Sequence, residues 1–329
     1  MSELRWHPFL EEWVITATHR QERTFLPPAD YCPLCPTKPG GFPTEIPRED
    51  FDIVVFENKF PSLQKKPPAP AVEALSVAPV APAQGICEVV VYSSEHAGSL
   101  AAMSLERIRN LIRVWQDRYQ ELGSRDFVKS ILIFENKGEA VGVTLHHPHG
   151  QIYAFPYIPP KLEKELDAAA KHYQKHGSCL FCDTLRDERS DGRRIVLEGE
   201  RFVVFVPFFA RYPYEVYLAP KNHQASIAEL NAADREELAR VLKGLLMKYD
   251  ALFGFSFPYI MACHQAPTDG GEYPHYHWHF EFYPPHRTAA KLKFLAGCEA
   301  GAGSYINDTL AEEKAAELRA VGPQSLSDF

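Results

Sequence analysis

Long apolar runs are missing from this chain of 329 residues. No uninterrupted stretch could span a bilayer, and the opening Met1-Ser2-Glu3-Leu4-Arg5-Trp6-His7 lacks the apolar core of a secretion signal. The expectation is a soluble, cytoplasmic protein with no membrane partner. Positive charge is also short: 35 Lys and Arg stand against 43 Asp and Glu, a formal net charge of −8. That balance argues against a nucleic-acid backbone as the main partner. It leaves a free nucleotide open, because a few local Arg and Lys suffice to hold one. Cysteine is sparse, with seven in all. Four of them fall in two Cys-x-x-Cys pairs, Cys32-Pro33-Leu34-Cys35 and Cys179-Leu180-Phe181-Cys182. In a reducing compartment such pairs are metal ligands or buried thiols rather than disulfides.

The length suits two domains of roughly 150 to 170 residues, and 45% hydrophobic content supplies a core. The chain repeats one plan twice. Cys32-x-x-Cys35, the strand-like Phe51–Phe56, a second strand Glu88–Tyr92 and His96 come first. A helix with apolar residues at helical spacing from Ser104 to Leu122, a strand at Val128–Phe134 and His147-Pro148-His149-Gly150-Gln151 complete the unit. The second half answers with Cys179-x-x-Cys182, Phe202–Pro207, Glu215–Pro220, His223, a helix capped by Asn231, and His277-Trp278-His279-Phe280-Glu281. Ordered self-similarity of this kind implies a duplicated unit. Short strands around one long helix imply an α+β fold, with antiparallel sheets and helices on one side. Boundaries of 1–172 and 173–329 follow. Residues 61–84, rich in proline and alanine, are expected to form an exposed loop without chemistry.

The stretch His146–Gln151 carries the chemistry. If extended, it puts His147, His149 and Gln151 on one face. Asn136, Gly138, Gly142 and Thr144 precede it, residues suited to bringing amides and small donors to a phosphate. A metal-binding His pair on a strand is the plainer reading, and the glycines, the Gln and the cysteines weigh against it. Phe134-Glu135-Asn136-Lys137-Gly138 followed by His147-Pro148-His149-Gly150-Gln151 resembles the galactose-1-phosphate uridylyltransferase family, the nucleotidyltransferase branch of the histidine-triad superfamily. The resemblance runs from about Arg5 to about Arg319 and is carried by motifs.

The resemblance implies two tandem histidine-triad-like domains, the first catalytic and the second structural and substrate-binding. It implies a cytoplasmic homodimer acting on a nucleotide sugar, UDP-glucose or UDP-galactose, and a hexose 1-phosphate in galactose metabolism. His149 would be the nucleophile of a ping-pong double displacement through nucleotidyl-histidine. Gln151 would donate where the related hydrolases carry a third His, which suits transfer better than hydrolysis. Thr144, Asn136 and the amides around Gly142 would be further donors to the phosphate. Arg20 and Arg23, surface charges on their own, and Asn58 would hold the nucleotide, with Lys293 and Glu299 near the sugar phosphate. Zinc would sit between Cys32, Cys35, His96 and His147. A second zinc would take Cys179, Cys182, His223 and His277, as in the sub-branch resembling ADP-glucose phosphorylase. The alternative is a site built from Glu165, His264, His279 and Glu281. Asn58-Lys59-Phe60 departs from the Asn-Asp-Phe of many uridylyltransferases, so an ADP-glucose phosphorylase-like adenylyltransferase stays open. A zinc-stabilised nucleotide-binding or scaffold protein is the non-enzyme reading.

Overall fold

The structure, a computed structural model, describes residues 2–22 and 31–329. The elements that position the site run β1 (Ser2–His7), β2 (Glu12–Ala17), β3 (Val54–Glu57), β4 (Val80–Pro82), β5 (Ile86–Val91), α1 (Leu105–Gly123), β6 (Ser130–Lys137) and β7 (His149–Phe155). The second half continues with α2 (Pro160–His176), α3 (Leu180–Asp191), β8 (Ile195–Glu198), β9 (Phe202–Phe205), β10 (Val216–Pro220), α4 (Ala232–Phe253), β11 (Tyr259–His264), β12 (His279–Tyr283) and α5 (Ala311–Ala320).

Local sequence explains the two long helices. The Ser104 side chain accepts from the Arg107 amide and starts α1, which then buries Ile108, Leu111, Ile112, Trp115, Tyr119 and Leu122 along one stripe. Each large apolar side chain taken out of water contributes about 1.5–3 kcal/mol. That stripe, rather than intrinsic helix propensity, fixes α1 to the sheet. α4 opens on a reciprocal cap. Asn231 accepts from the Asp234 amide, Asp234 accepts from the Asn231 amide, and the helix ends at Gly254 with φ 73°. Glycine takes that left-handed turn without the penalty a Cβ would bring. No helix among the described residues is long and apolar enough to cross a membrane.

Nine of these strands form one antiparallel sheet, ordered β3-β5-β7-β6-β11-β12-β10-β9-β8, and the other three form a separate sheet, β2-β1-β4. The order β3-β5-β7-β6 is mirrored by β9-β10-β12-β11, and the halves meet where β6 pairs with β11, Phe134 opposite Ala262. The repeat in the sequence is thus a repeat in space. β8 is an added edge strand. Val90, Ile133 and Ile152 share the main core with α1 and α4, whereas Val89 and Val91 pack on the other face with Leu34, Ile46 and Phe56. Strand alternation therefore separates a helix-covered face from the face that carries His149. Trp115 and Phe280, 5.7 Å between ring centroids, tie the core of one half to that of the other.

The proline-rich segment 61–84 is more ordered than expected. Its end forms β4, which pairs with β1, while Leu63 and Ala83 are fully buried. Prolines tolerate such an edge because an edge strand leaves amides without ladder partners.

Candidate active site

β7 begins at His149, so His149 and Gln151 point away from α1 while Gly150 and Ile152 point toward it. A Cβ on Gly150 would lie 2.1 Å from the Tyr92 hydroxyl. Only glycine lets the His149 strand lie this close to that ring. His147 precedes the strand and turns away from His149, toward the first cysteine pair. Its Nδ1 is 3.5 Å from Cys35 Sγ and 3.9 Å from Cys32 Sγ. The shared face expected for three residues is thus occupied by two of them.

The sheet register builds the floor beside His149. Gln151 lies opposite Val89, and Val89 opposite Phe56. This row opens into a cavity of about 290 Å³, walled by Leu34, Pro33, Tyr31, Phe60, Asn58, Thr144 and His149, with Glu45 and Lys59. A larger groove, about 1170 Å³ along β8 and the chain end, shares no residue with it. The His149 cavity is small and mostly apolar with a few convergent polar groups, as small-ligand sites are.

His149 Nδ1 donates to the His147 carbonyl at 2.7 Å. A carbonyl can only accept, so the proton belongs on Nδ1 and the lone pair on Nε2. Asn58 Nδ2 donates to Gln151 Oε1 at 3.3 Å, which leaves the Gln151 amide nitrogen as its donor end. Arg20 donates to the Phe60 carbonyl at 2.7 Å and so holds the turn that carries Asn58. Thr144, Asn58, Gln151 and His149 therefore meet in one cavity.

The other expected residues lie elsewhere. Asn136, on β6 opposite Ile260, and Gly142 do not line the cavity. Gly142, with φ 83°, donates its amide to Glu139 O at 2.8 Å, and Val143 donates to Gly138 O at 3.4 Å, so these amides close their own turn. Lys293 pairs with Glu299 at 3.1 Å, well apart in sequence from the cavity walls and absent from them. Arg23 lies outside the described residues. Phe56, Val89, Leu34 and Glu45 were not singled out by motif. Phe56 and Val89 read as core, and only the register opposite Gln151 marks them as a floor.

Among the described residues, three groups of side chains could hold a metal ion. Cys32, Cys35, His96 and His147 form the first, with ligand atoms within 4.8 Å of one another; Cys179, Cys182, His223 and His277 form the second. They share geometry: His147 Nε2 donates to Ser93 O at 2.7 Å and His277 Nε2 to Pro220 O at 3.0 Å, leaving each Nδ1 toward sulfur. Such outer bonds fix the ring and its tautomer. Burial, the largest influence on both rings, pushes their pKa down and keeps them neutral. The third group is Glu165, His264, His279 and Glu281. Here Glu281 also meets Lys161 and, at 3.1 Å, Arg211. Burial opposes its ionisation, but the neighbouring imidazoles and the Lys161 ammonium outweigh that and hold the carboxyl well below the usual range.

The second half keeps the layout of the cavity, with a space of about 260 Å³ lined by Phe181, Phe205, Tyr217, His279 and Glu281, but engages its histidine. Phe205, Tyr217 and Glu281 sit in register as Phe56, Val89 and Gln151 do. His279 donates from Nδ1 to His277 O at 3.1 Å, yet its ring packs against two aromatic neighbours, Phe181 at 4.6 Å and Tyr217 at 5.1 Å. Its Nε2 faces Glu281 Oε1 at 3.2 Å. An imidazole packed against two aromatic rings and bonded at both nitrogens has little to offer an electrophile.

A duplicated antiparallel α+β fold that sets a tautomer-fixed histidine beside amide and hydroxyl donors in one cavity suits a group-transfer enzyme, a transferase. Comparison with known proteins narrows the class. Residues 1–159 match the model of the galactose-1-phosphate uridyl transferase N-terminal domain, and residues 165–328 that of its C-terminal domain. The chain belongs to the galactose-1-phosphate uridylyltransferase family. It is 43% identical over 320 residues to the galactose-1-phosphate uridylyltransferase of Thermotoga maritima, covering 97% of this chain and 98% of that one. A solved uridylyltransferase superposes with a TM-score of 0.87 at 35% identity, covering 97% of both chains. The ADP-glucose phosphorylase of Arabidopsis thaliana is more distant, with a TM-score of 0.73 at 25% identity over 98% of this chain and 100% of that one.

Proposed function

We propose that this chain is a UDP-glucose–hexose-1-phosphate uridylyltransferase, with galactose 1-phosphate as the acceptor. His149 Nε2 attacks the α-phosphorus of UDP-glucose. A nitrogen–phosphorus bond forms, the bond to the glucose 1-phosphate oxygen breaks, and the leaving oxygen takes the electron pair. A phosphate oxygen of the hexose 1-phosphate then attacks uridylyl-His149, and Nε2 departs with the pair it first supplied. The observation that carries this reading is the hydrogen bond from His149 Nδ1 to the His147 carbonyl. It presents Nε2 as a nucleophile before reaction and supports the positive charge on the ring after it. Gln151 and Thr144 donate to the phosphoryl oxygens, with Asn136 a further donor from β6 and Gly142 brought in as the 138–143 turn adjusts to substrate. Asn58, Arg20 and Arg23 hold the nucleotide.

The two Cys2His2 groups suit zinc, which takes four nitrogen or sulfur ligands in a closed tetrahedron. Zinc there would supply a rigid cross-link, since no position remains for substrate. Cys32-x-x-Cys35 carries Pro33 and Leu34 into the cavity wall, so the first site shapes the pocket, while the second braces α3 against β12. The Glu165 group is already neutralised by Lys161 and Arg211, which favours the second Cys2His2 group as the other metal site. Residues 1–172 form the catalytic unit and 173–329 the structural and substrate-binding unit of a cytoplasmic homodimer. The exposed Phe294 and Leu295 beside the Lys293–Glu299 pair then meet the partner copy at the hexose phosphate.

Label exchange tests the ping-pong path. With no second acceptor present, labelled glucose 1-phosphate should enter UDP-glucose at a rate comparable to turnover. Absence of exchange, with overall transfer intact, would replace the double displacement by direct transfer. The same assay with ADP-glucose should show far slower exchange. Faster exchange with ADP-glucose would move the reading to the adenylyltransferase alternative.

A further inference from the structure

The His149 cavity holds one feature that the transfer chemistry leaves unused. Among the described residues lining it, Glu45 is the sole carboxylate and Lys59 the sole ammonium, and they meet at 2.8 Å. The contact uses Oε1 of Glu45; Oε2 takes no hydrogen bond among the described residues. The pair is half in solvent, the Lys59 side chain 62% and the Glu45 side chain 28% exposed, so it adds little to stability. Its position is nevertheless fixed. The Glu45 amide donates to the Pro33 carbonyl at 3.0 Å, which ties it to the hairpin between Cys32 and Cys35. Lys59 follows Asn58, whose amide donates to Cys87 O at 2.8 Å on β5.

A nucleotide with its α-phosphorus at His149 Nε2 and its base over the apolar Phe56–Val89 floor brings its ribose to the cavity walls. A carboxylate repels phosphate and attracts hydroxyls. The Lys59 ammonium neutralises Glu45 enough for a diphosphate to pass and leaves Oε2 as an acceptor. We infer that Glu45, held in place by Lys59, is a specificity residue of this site that accepts hydrogen bonds from the ribose 2′,3′-diol of the nucleotide and so selects ribonucleotides over deoxyribonucleotides. This inference rests on the nucleotide-binding reading of the His149 cavity.

Equilibrium binding of UMP, 2′-deoxy-UMP and 3′-deoxy-UMP to the full chain, by titration calorimetry, tests it without requiring turnover. A hydrogen bond to a charged group is a strong one, so the wild type should bind UMP about tenfold to hundredfold more tightly than at least one deoxy analogue. Glu45→Gln should bring the analogues within about twofold of UMP by weakening UMP alone. Lys59→Met, which frees Glu45 to wander, should fall between. Thermal midpoints should stay unchanged, because the pair is exposed. Wild type without preference, or a Glu45→Gln variant that keeps the full preference or weakens all three ligands equally, would overturn the inference. Failure of the wild type to bind any of the three would overturn it too. Label exchange then separates the causes: if exchange persists, only the ribose assignment falls; if it is absent, the nucleotidyl-transfer reading falls as well.

Discussion

Glu135 is a fully buried carboxyl on β6, and its replacement by Gln gives a stability change whose size follows from the structure. The Tyr259 and Tyr92 hydroxyls donate to its two oxygens at 3.1 and 3.3 Å. Burial raises its pKa from 4.5 to about 7, against the opposing pull of the Lys137 charge and the two hydroxyls. Both tyrosines are themselves pushed well above 10 by burial and stay neutral, and Lys137 is paired with Asp250 at 2.8 Å. Below the unfolded pKa both states hold the proton and Glu135 costs nothing. As pH rises toward 7 the unfolded chain gives up its proton first, so stability falls, and the decline stops once the folded group has also ionised. At 1.36 kcal/mol per unit, the loss between about pH 5 and pH 8 is roughly 2–3 kcal/mol. Glu135→Gln cannot titrate. Whatever offset its amide brings, the variant should gain that amount on the wild type across this range. Urea unfolding of both proteins at several pH values, compared by linear extrapolation, reads the gap. A variant-minus-wild-type difference that is constant with pH, or that falls toward pH 8, would refute the reasoning.

Gly150→Ala should impair both fold and activity. The new Cβ meets the Tyr92 hydroxyl and the Phe134 carbonyl, and overpacking of this kind costs about 1–3 kcal/mol; Tyr92→Phe should partly rescue it, read by thermal midpoint and turnover. Lys248, almost wholly buried, donates to the carbonyls of Leu318, Arg319 and Val321 and closes the C-terminal end of α5. Lys248→Met should cost about 1–3 kcal/mol in urea unfolding, without moving KM, because no cavity residue is touched. Metal analysis should find two zinc ions per chain, falling to one in Cys35→Ala and in Cys182→Ala. KM should rise in the first variant, whose hairpin walls the cavity, while the second should lose stability with KM near normal.

Much of this was legible in the chain. The duplication, the α1 and α4 stripes with their Ser104 and Asn231 caps, and the metal-type groups follow from local period and spacing, because caps and Cys-x-x-Cys turns are short-range devices. The joining of both halves into one sheet was not, since the β6–β11 pairing links segments over 100 residues apart with no local signal. α2 and α3 escaped notice because they bury few large apolar side chains, Leu162, Leu166 and Leu185 among them. The site divided in the same way. His149 and Gln151 announce themselves by motif, but Phe56 and Val89 become a floor only through register, and Glu45 only through a loop folded back onto Pro33. Glu281 resembled a gap in a ligand set; the structure shows it held by Lys161 and Arg211.

The most direct test of the central claim is the intact mass of the protein after brief exposure to UDP-glucose and a quench that avoids acid. The account predicts one uridylyl group per chain on the wild type, lost on adding galactose 1-phosphate and never formed by His149→Ala. Transfer that proceeds with no such adduct, or an adduct that persists in His149→Ala, would contradict it.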